Sequence, residues 1–152
     1  MALVSDYLDP GCVASGLDAS SSTEAITTLV GLLAGAGKLK DERKLLGDVL
    51  ARERLTPTGL EEGCAVPHAQ SDALESTAIA VATFKNPVDF GAPDGRGATL
   101  VFLLAGPKNC AGLHLKLLSK LARFMHDPAF RDAAKAARDT DALTSLIRER
   151  DE

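Results

Sequence analysis

Three side chains in this 152-residue sequence stand where they could do acid–base or group-transfer chemistry: His68, His114 and Arg52. His68 follows a short apolar run in Glu62-Gly63-Cys64-Ala65-Val66-Pro67-His68-Ala69. Proline fixes its own φ near about −65° and drives the residue before it into extended geometry. The imidazole therefore arrives on a stiff, strand-like lead-in. Histidine exchanges a proton close to neutral pH, and only the unprotonated ring has a lone pair for nucleophilic attack. Taken alone, a proline–histidine pair also suits an ordinary surface-loop histidine.

His114 falls four residues before Leu118, on the inward face and in the first turn of a helix expected over 112–125. It is either a core histidine satisfied by a backbone carbonyl or a functional ring. A helix N-terminus attracts anions and disfavours an imidazolium, which keeps such a ring neutral. Arg52 is either a solvated helix arginine or, beside a phosphorylatable histidine, the forked cation that holds phosphate oxygens. His126, in the turn before Asp127-Pro128, reads as exposed and inert.

Other chemistries fit less well. A Cys64–His68 zinc pair lacks a second ligand pair at a suitable spacing. As a nucleophile Cys64 would lie in an apolar strand, where its pKa rises. No P-loop, GxGxxG or GxSxG is present, and Gly91-Ala92-Pro93-Asp94-Gly95 makes turns without marking a phosphate cradle. Cys12, Cys64 and Cys110 are odd in number, with no CxxC, and read as free thiols of a cytoplasmic protein. A net charge of −4 without a basic tract argues against nucleic-acid binding. No apolar run of about eighteen residues provides a membrane span. Met1-Ala2-Leu3-Val4-Ser5-Asp6 lacks the basic and apolar regions of a signal peptide.

The elements that must position these residues follow from periodicity. Cys12–Leu17 reads as an edge strand. Ser21 with Glu24 fits a capping box, opening a helix with Ile26, Leu29, Val30 and Leu33 inward, and Gly35-Ala36-Gly37 ends it. Asp41 caps a second helix whose apolar face carries Leu45, Leu46, Val49 and Leu50. Arg52 falls on the shoulder of that face and Glu53 near its middle. A carboxylate there needs a partner or a helix end, so this terminus should abut something polar. Thr56-Pro57-Thr58-Gly59 reads as a turn, 64–66 as a short strand closed by His68, and Ala78–Phe84 as a strand. Asn86-Pro87 and Pro93-Asp94-Gly95 read as turns. Thr99–Ala105, apolar throughout, suits a strand buried on both faces. In the helix that follows, Leu118, Leu121 and Met125 face inward, while Lys116, Ser119, Lys120 and Arg123 face outward. Asp127-Pro128 and Asp139–Arg148 begin and form two more helices. No repeat or linker interrupts the chain, so 1–152 reads as one domain, a sheet covered on both sides by helices. If the strands carrying 64–66 and 99–105 run the same way, His68 and His114 meet at one sheet edge, beyond the carboxyl ends of the strands.

These motifs occur together and in order: Arg52-Glu53, Thr58-Gly59, Gly63–His68, Pro93-Asp94-Gly95, Leu100–Pro107 and His114-Leu115-Lys116-Leu117-Leu118. From about residue 3 to 148 the chain resembles the EIIA domain of the phosphoenolpyruvate-dependent sugar phosphotransferase system, fructose/mannitol class. The resemblance implies a three-layer α/β/α domain with a mixed central sheet. It implies that His68 accepts a phosphoryl group on Nε2 from phosphohistidine on HPr and passes it to a cysteine of an EIIB domain. His114 would orient the ring or bind the phosphoryl group, and Arg52 would balance its charge. No metal or dissociable cofactor is implied, and the membrane EIIC domain, which meets the sugar, is an indirect partner. The chain departs from the family pattern at Cys64 and Val66, where isoleucines are usual, and at Leu60-Glu61-Glu62, which would bring carboxylates near the phosphate. Val88–Gly95 and His114–Arg123 look closest to fructose-specific domains. The nitrogen-regulatory branch, which signals by binding other proteins, shares the phosphorylated histidine.

Overall fold

The computed structural model describes residues 3–151. Met1, Ala2 and Glu152, which the N-terminal reading and the 1–152 span include, lie outside the described residues. Strands β1 (Leu8–Leu17), β2 (Gly59–Leu60), β3 (Cys64–Ala65), β4 (His68–Gln70), β5 (Ala78–Val88) and β6 (Ala98–Gly106) form one sheet. Its order is β1-β5-β6-β3-β2, and β4 also pairs with β6. The sheet is mixed: β1/β5, β3/β6 and β4/β6 are parallel, while β5/β6 and β2/β3 are antiparallel. Helices α1 (Ser22–Gly35), α2 (Glu42–Leu55), α3 (Ala111–His126), α4 (Pro128–Ala136) and α5 (Thr140–Asp151) cover both sides. The three-layer α/β/α expectation holds.

Strand β6 is central because its sequence leaves it no wet face. Every residue from Leu100 to Gly106 is buried, as a strand covered on both sides requires. Two readings near it are corrected. His68 opens β4 instead of closing a 64–66 strand. Cys64 pairs with Leu100 and His68 with Leu104, so the register is unchanged across Val66-Pro67. One strand-like path is interrupted because proline has no N–H to give the ladder, although the Pro67 carbonyl still accepts from Leu104 at 3.1 Å. Asn86-Pro87 is likewise no turn. It lies inside β5, at the irregularity between Thr83 and Val88, where a proline is tolerated.

The helix starts follow the sequence closely. Ser21 accepts from Glu24 N–H at 3.1 Å and Asp41 from Lys44 N–H at 3.1 Å. The reciprocal half of the capping box is absent, because the Glu24 carboxylate takes the Ser20 hydroxyl instead. On α3 the buried stripe is His114, Leu117, Leu121, Phe124 and Met125, so Leu117 joins the inward face, at whose edge Leu118 is half-buried against the core. Lys120 is also turned from the open side: its Nζ lies 3.4 Å from the buried Asp151 carboxylate.

Asp151 joins the two ends of the chain. It accepts from Val4 N–H at 2.9 Å and Ser5 N–H at 2.8 Å, at the start of a 3-10 turn. Burial pushes its carboxyl pKa up, but the bonds from Ser5 and Val4 and the nearby Lys120 ammonium outweigh this, and the net shift is downward. A lowered folded pKa contributes stability above the unfolded value and loses it as pH falls through the folded one. Asp151→Ala should therefore lower the unfolding free energy by about 1–3 kcal/mol near neutrality, with a smaller loss in acid, as read by urea denaturation at both pH values.

Candidate functional site

The parallel pairing of β4 with β6 carries His68 to the level of Leu104, near the carboxyl end of the central strand. The chain then leaves β6, turns at Pro107 and enters α3, whose first turn presents His114. The two ring centroids lie 5.8 Å apart at 52°. From the other side, the last turns of α2 contribute Asp48 and Arg52. These residues, with Leu55, Gln70, Lys108 and Leu118, line one hollow of about 560 Å³. His68, His114 and Arg52, chosen from sequence, are thus brought together.

The His68 ring is held by one hydrogen bond. Its Nδ1 lies 2.8 Å from the Val66 carbonyl oxygen. A carbonyl can only accept, so Nδ1 carries the proton and donates it, and the lone pair is left on Nε2. Burial is the largest influence on this group and lowers its pKa from the ordinary 6.5. The Val66 carbonyl opposes that shift, the Arg52 guanidinium reinforces it, and the Glu53 carboxylate opposes it, with a net downward result. The half-buried ring is therefore neutral at pH 7.

His114 is 6% exposed, and its pKa is lowered by burial and then by the facing His68. Its Nδ1 is buried without a hydrogen-bond partner, as is the Thr77 hydroxyl. The core-histidine alternative, a ring satisfied by a backbone carbonyl, is not what is found. Both atoms lie against Gly106, where a Cβ would come 2.9 Å from Thr77 Oγ1 and 3.6 Å from His114 Nδ1. A side chain at 106 would press on the Thr77 hydroxyl and only touch the ring at ordinary contact distance, so the glycine makes room for Thr77 beside His114. Arg52 is half-buried and donates from Nη1 to the Thr56 carbonyl at 3.0 Å, which anchors the guanidinium at the end of α2 while its other N–H groups remain for a ligand.

Glu53 finds the polar partner that its place on the apolar face required. Its two carboxylate oxygens accept from Thr58 N–H at 2.8 Å and Thr58 Oγ1 at 2.6 Å. The Thr56–Gly59 stretch is correspondingly a bend running into β2 and not a free turn. Glu61 and Glu62, expected near the His68 site, line a neighbouring hollow with Ser119, Arg123 and Arg131. Glu62 adopts φ +67°. Its N–H donates to Asp94 at 2.9 Å, and its carboxylate pairs with Arg96 at 2.7 Å, which draws it to the 94–96 turn.

Asp48, Lys108 and Leu55 were not read as site residues. Asp48 lies one turn before Arg52 on the same helical face, a spacing that could have flagged it. It accepts from the buried Ser71 hydroxyl at 2.6 Å and pairs with Lys44 at 3.5 Å. Leu55 and Leu115 are 81% and 67% exposed, the large apolar side chains left uncovered among the described residues. Cys64 is buried, and burial raises its thiol pKa, so it is no candidate nucleophile. Among the described residues no group of three or more His, Cys, Asp or Glu side chains is placed to hold a metal ion. No helix among them is long and apolar enough to cross a membrane.

The profile of the phosphoenolpyruvate-dependent sugar phosphotransferase system EIIA type-2 family matches residues 6–150. The chain belongs to this family. It is 40% identical over 130 residues to the 2-O-α-mannosyl-D-glycerate-specific EIIABC component of Escherichia coli, covering 84% of this chain and 20% of that protein. The chain thus spans about a fifth of that curated relative's length. The crystal structure of the nitrogen regulatory protein IIA-Ntr from Neisseria meningitidis superposes with a TM-score of 0.88 at 27% identity, over 96% of this chain and 99% of that one. The E. coli mannitol enzyme IIA, solved in complex with phosphorylated mannitol enzyme IIB, gives a TM-score of 0.78 at 25% identity, over 91% and 95% of the two chains.

In this EIIA domain both site rings should titrate below 6.5. Arg52→Ala should move the His68 midpoint upward, because a cation that disfavours imidazolium has been removed. Histidine ring NMR shifts followed against pH read both effects.

Proposed function

We propose that His68 is a phosphoryl carrier: Nε2 accepts a phosphoryl group from phosphohistidine on HPr and delivers it to a cysteine of an EIIB domain, in support of fructose-type sugar uptake. In the first step the Nε2 lone pair attacks phosphorus as the P–N bond to HPr breaks. The bonding pair leaves with the HPr imidazole, so one P–N bond replaces another. In the second step a thiolate takes phosphorus and His68 returns to the neutral ring. Such transfers need positioning and charge stabilisation more than covalent chemistry from the protein.

The observation that carries this reading is the hydrogen bond from His68 Nδ1 to the Val66 carbonyl, which leaves Nε2 as the nucleophile in a hollow shared with His114 and Arg52. Arg52, held at the end of α2, and Lys108 bring positive charge to a dianionic phosphoryl group. His114 orients the ring or donates to a phosphoryl oxygen. The exposed Leu55 and the half-buried Leu118 offer a partner an apolar rim that excludes water on docking. The mannitol enzyme IIA–IIB complex supports an EIIB partner for this chain. EIIC is reached only through EIIB.

A second reading is favoured by a specific likeness. The nitrogen regulatory protein from N. meningitidis matches this chain almost end to end. On that reading the domain binds partner proteins according to the phosphorylation state of His68, and transport is not its role.

Labelling with phosphoenolpyruvate, enzyme I and HPr should phosphorylate the wild type and leave His68→Ala unlabelled; equal labelling of both would end the proposal. His114→Ala should keep near-normal stability and slow onward transfer to EIIB by about tenfold to a hundredfold. The two branches separate by pull-down with phosphorylated and unphosphorylated protein. A transport carrier retains HPr and EIIB weakly in either state, whereas a regulator retains a further protein in one state alone.

A further inference from the structure

Glu53 stands in the last turn of α2, outside the hollow that holds His68, yet a continuous chain of hydrogen bonds joins them. Both of its carboxylate oxygens are used by one residue, Thr58, at 2.8 Å to the backbone N–H and 2.6 Å to the hydroxyl. The Thr58 carbonyl accepts from Val66 N–H at 3.2 Å, and the Val66 carbonyl receives His68 Nδ1 at 2.8 Å. Val66 is thus held on both sides, by its N–H toward Thr58 and by its carbonyl toward the ring. The segment carrying Thr58 has little freedom to drift. Arg52 grips the Thr56 carbonyl at 3.0 Å. Gly59 donates to the Phe90 carbonyl at 3.2 Å and packs so closely there that a Cβ would come 2.7 Å from that oxygen.

We propose that Glu53 is a positioning residue for His68, acting through Thr58 and Val66 to fix which ring nitrogen carries the proton. Neutral histidine in water favours the Nε2–H tautomer, which has no lone pair at Nε2. The Val66 carbonyl selects the opposite form, and it can do so only while it stays aimed at Nδ1. A carboxylate with both oxygens engaged is the strongest anchor in this chain of bonds, because charge-assisted hydrogen bonds are about twice as strong as neutral ones. Losing it leaves Thr58 held only through its neighbours, by the Arg52–Thr56 and Gly59–Phe90 bonds, so the Val66 carbonyl is aimed less tightly and the ring populates more of the form that cannot attack. The consequence for transfer rests on the phosphoryl-carrier reading; the consequence for the tautomer does not.

The test is long-range ¹H–¹⁵N NMR of the histidine rings above neutral pH, in parallel with phosphoryl acceptance from phospho-HPr and thermal unfolding. The wild type should show His68 mainly as Nδ1–H. Glu53→Ala should raise the Nε2–H population and slow acceptance by about tenfold. Glu53→Gln still offers an acceptor to the Thr58 N–H and a donor to the Thr58 hydroxyl oxygen, and should restore the Nδ1–H form and most of the rate. Should Glu53→Ala not fold, Glu53→Asp, one methylene too short to keep both contacts, carries the same comparison. A variant that melts earlier while His68 keeps its wild-type tautomer would overturn the proposal and leave Glu53 a purely structural residue. A tautomer that follows Glu53 in a protein unable to accept phosphoryl would sustain it and sink the carrier reading instead.

Discussion

The hydrogen bond between His68 Nδ1 and the Val66 carbonyl, 2.8 Å long, is the contact on which the rest of the site depends. It spans two residues of one chain segment, so it exists only if Val66-Pro67-His68 keeps a particular backbone path. That path is set from two directions. On one side, β3 and β4 hold the same register along β6 above and below Pro67. On the other, Thr58 receives the Val66 N–H and is itself held by Glu53. A single ring orientation is therefore an output of the sheet and the end of α2 together.

The opposing ring is placed by different means. His114 owes its position to the short crossing from β6 into α3, which puts the ring in the first turn of that helix on its buried face. Burial keeps both imidazoles deprotonated, and Arg52 helps at His68. The hollow sets the Arg52 guanidinium beside two neutral rings, and Lys108 on its lining pairs with Asp72 at 3.6 Å. Asp48, on the same lining, is held by the Ser71 hydroxyl and paired with Lys44.

Much of this was legible before any coordinates. The apolar run at 99–105 implied a central strand, and the proline before His68 implied an extended lead-in. The four-residue step from His114 to Leu118 put that ring inward. Glu53 on an apolar face announced a polar partner without naming it. What could not be read was anything decided by contact between distant segments. Thr58 looked like a turn residue until α2 folded back on it. Glu62 looked close to the site because it is six residues from His68, but Asp94 and Arg96 draw it toward another hollow. The two-residue strand β2 is too short to leave a periodic signal, and Asn86-Pro87 reads as a turn because an irregularity that shelters a proline inside a strand has no local signature.

Asp151 ties Val4 and Ser5 to the end of α5, so the first and last of the described elements meet at one corner of the fold. A polypeptide extended in either direction would be tethered at that shared corner, and attachment there would leave the strands and helices of the domain undisturbed.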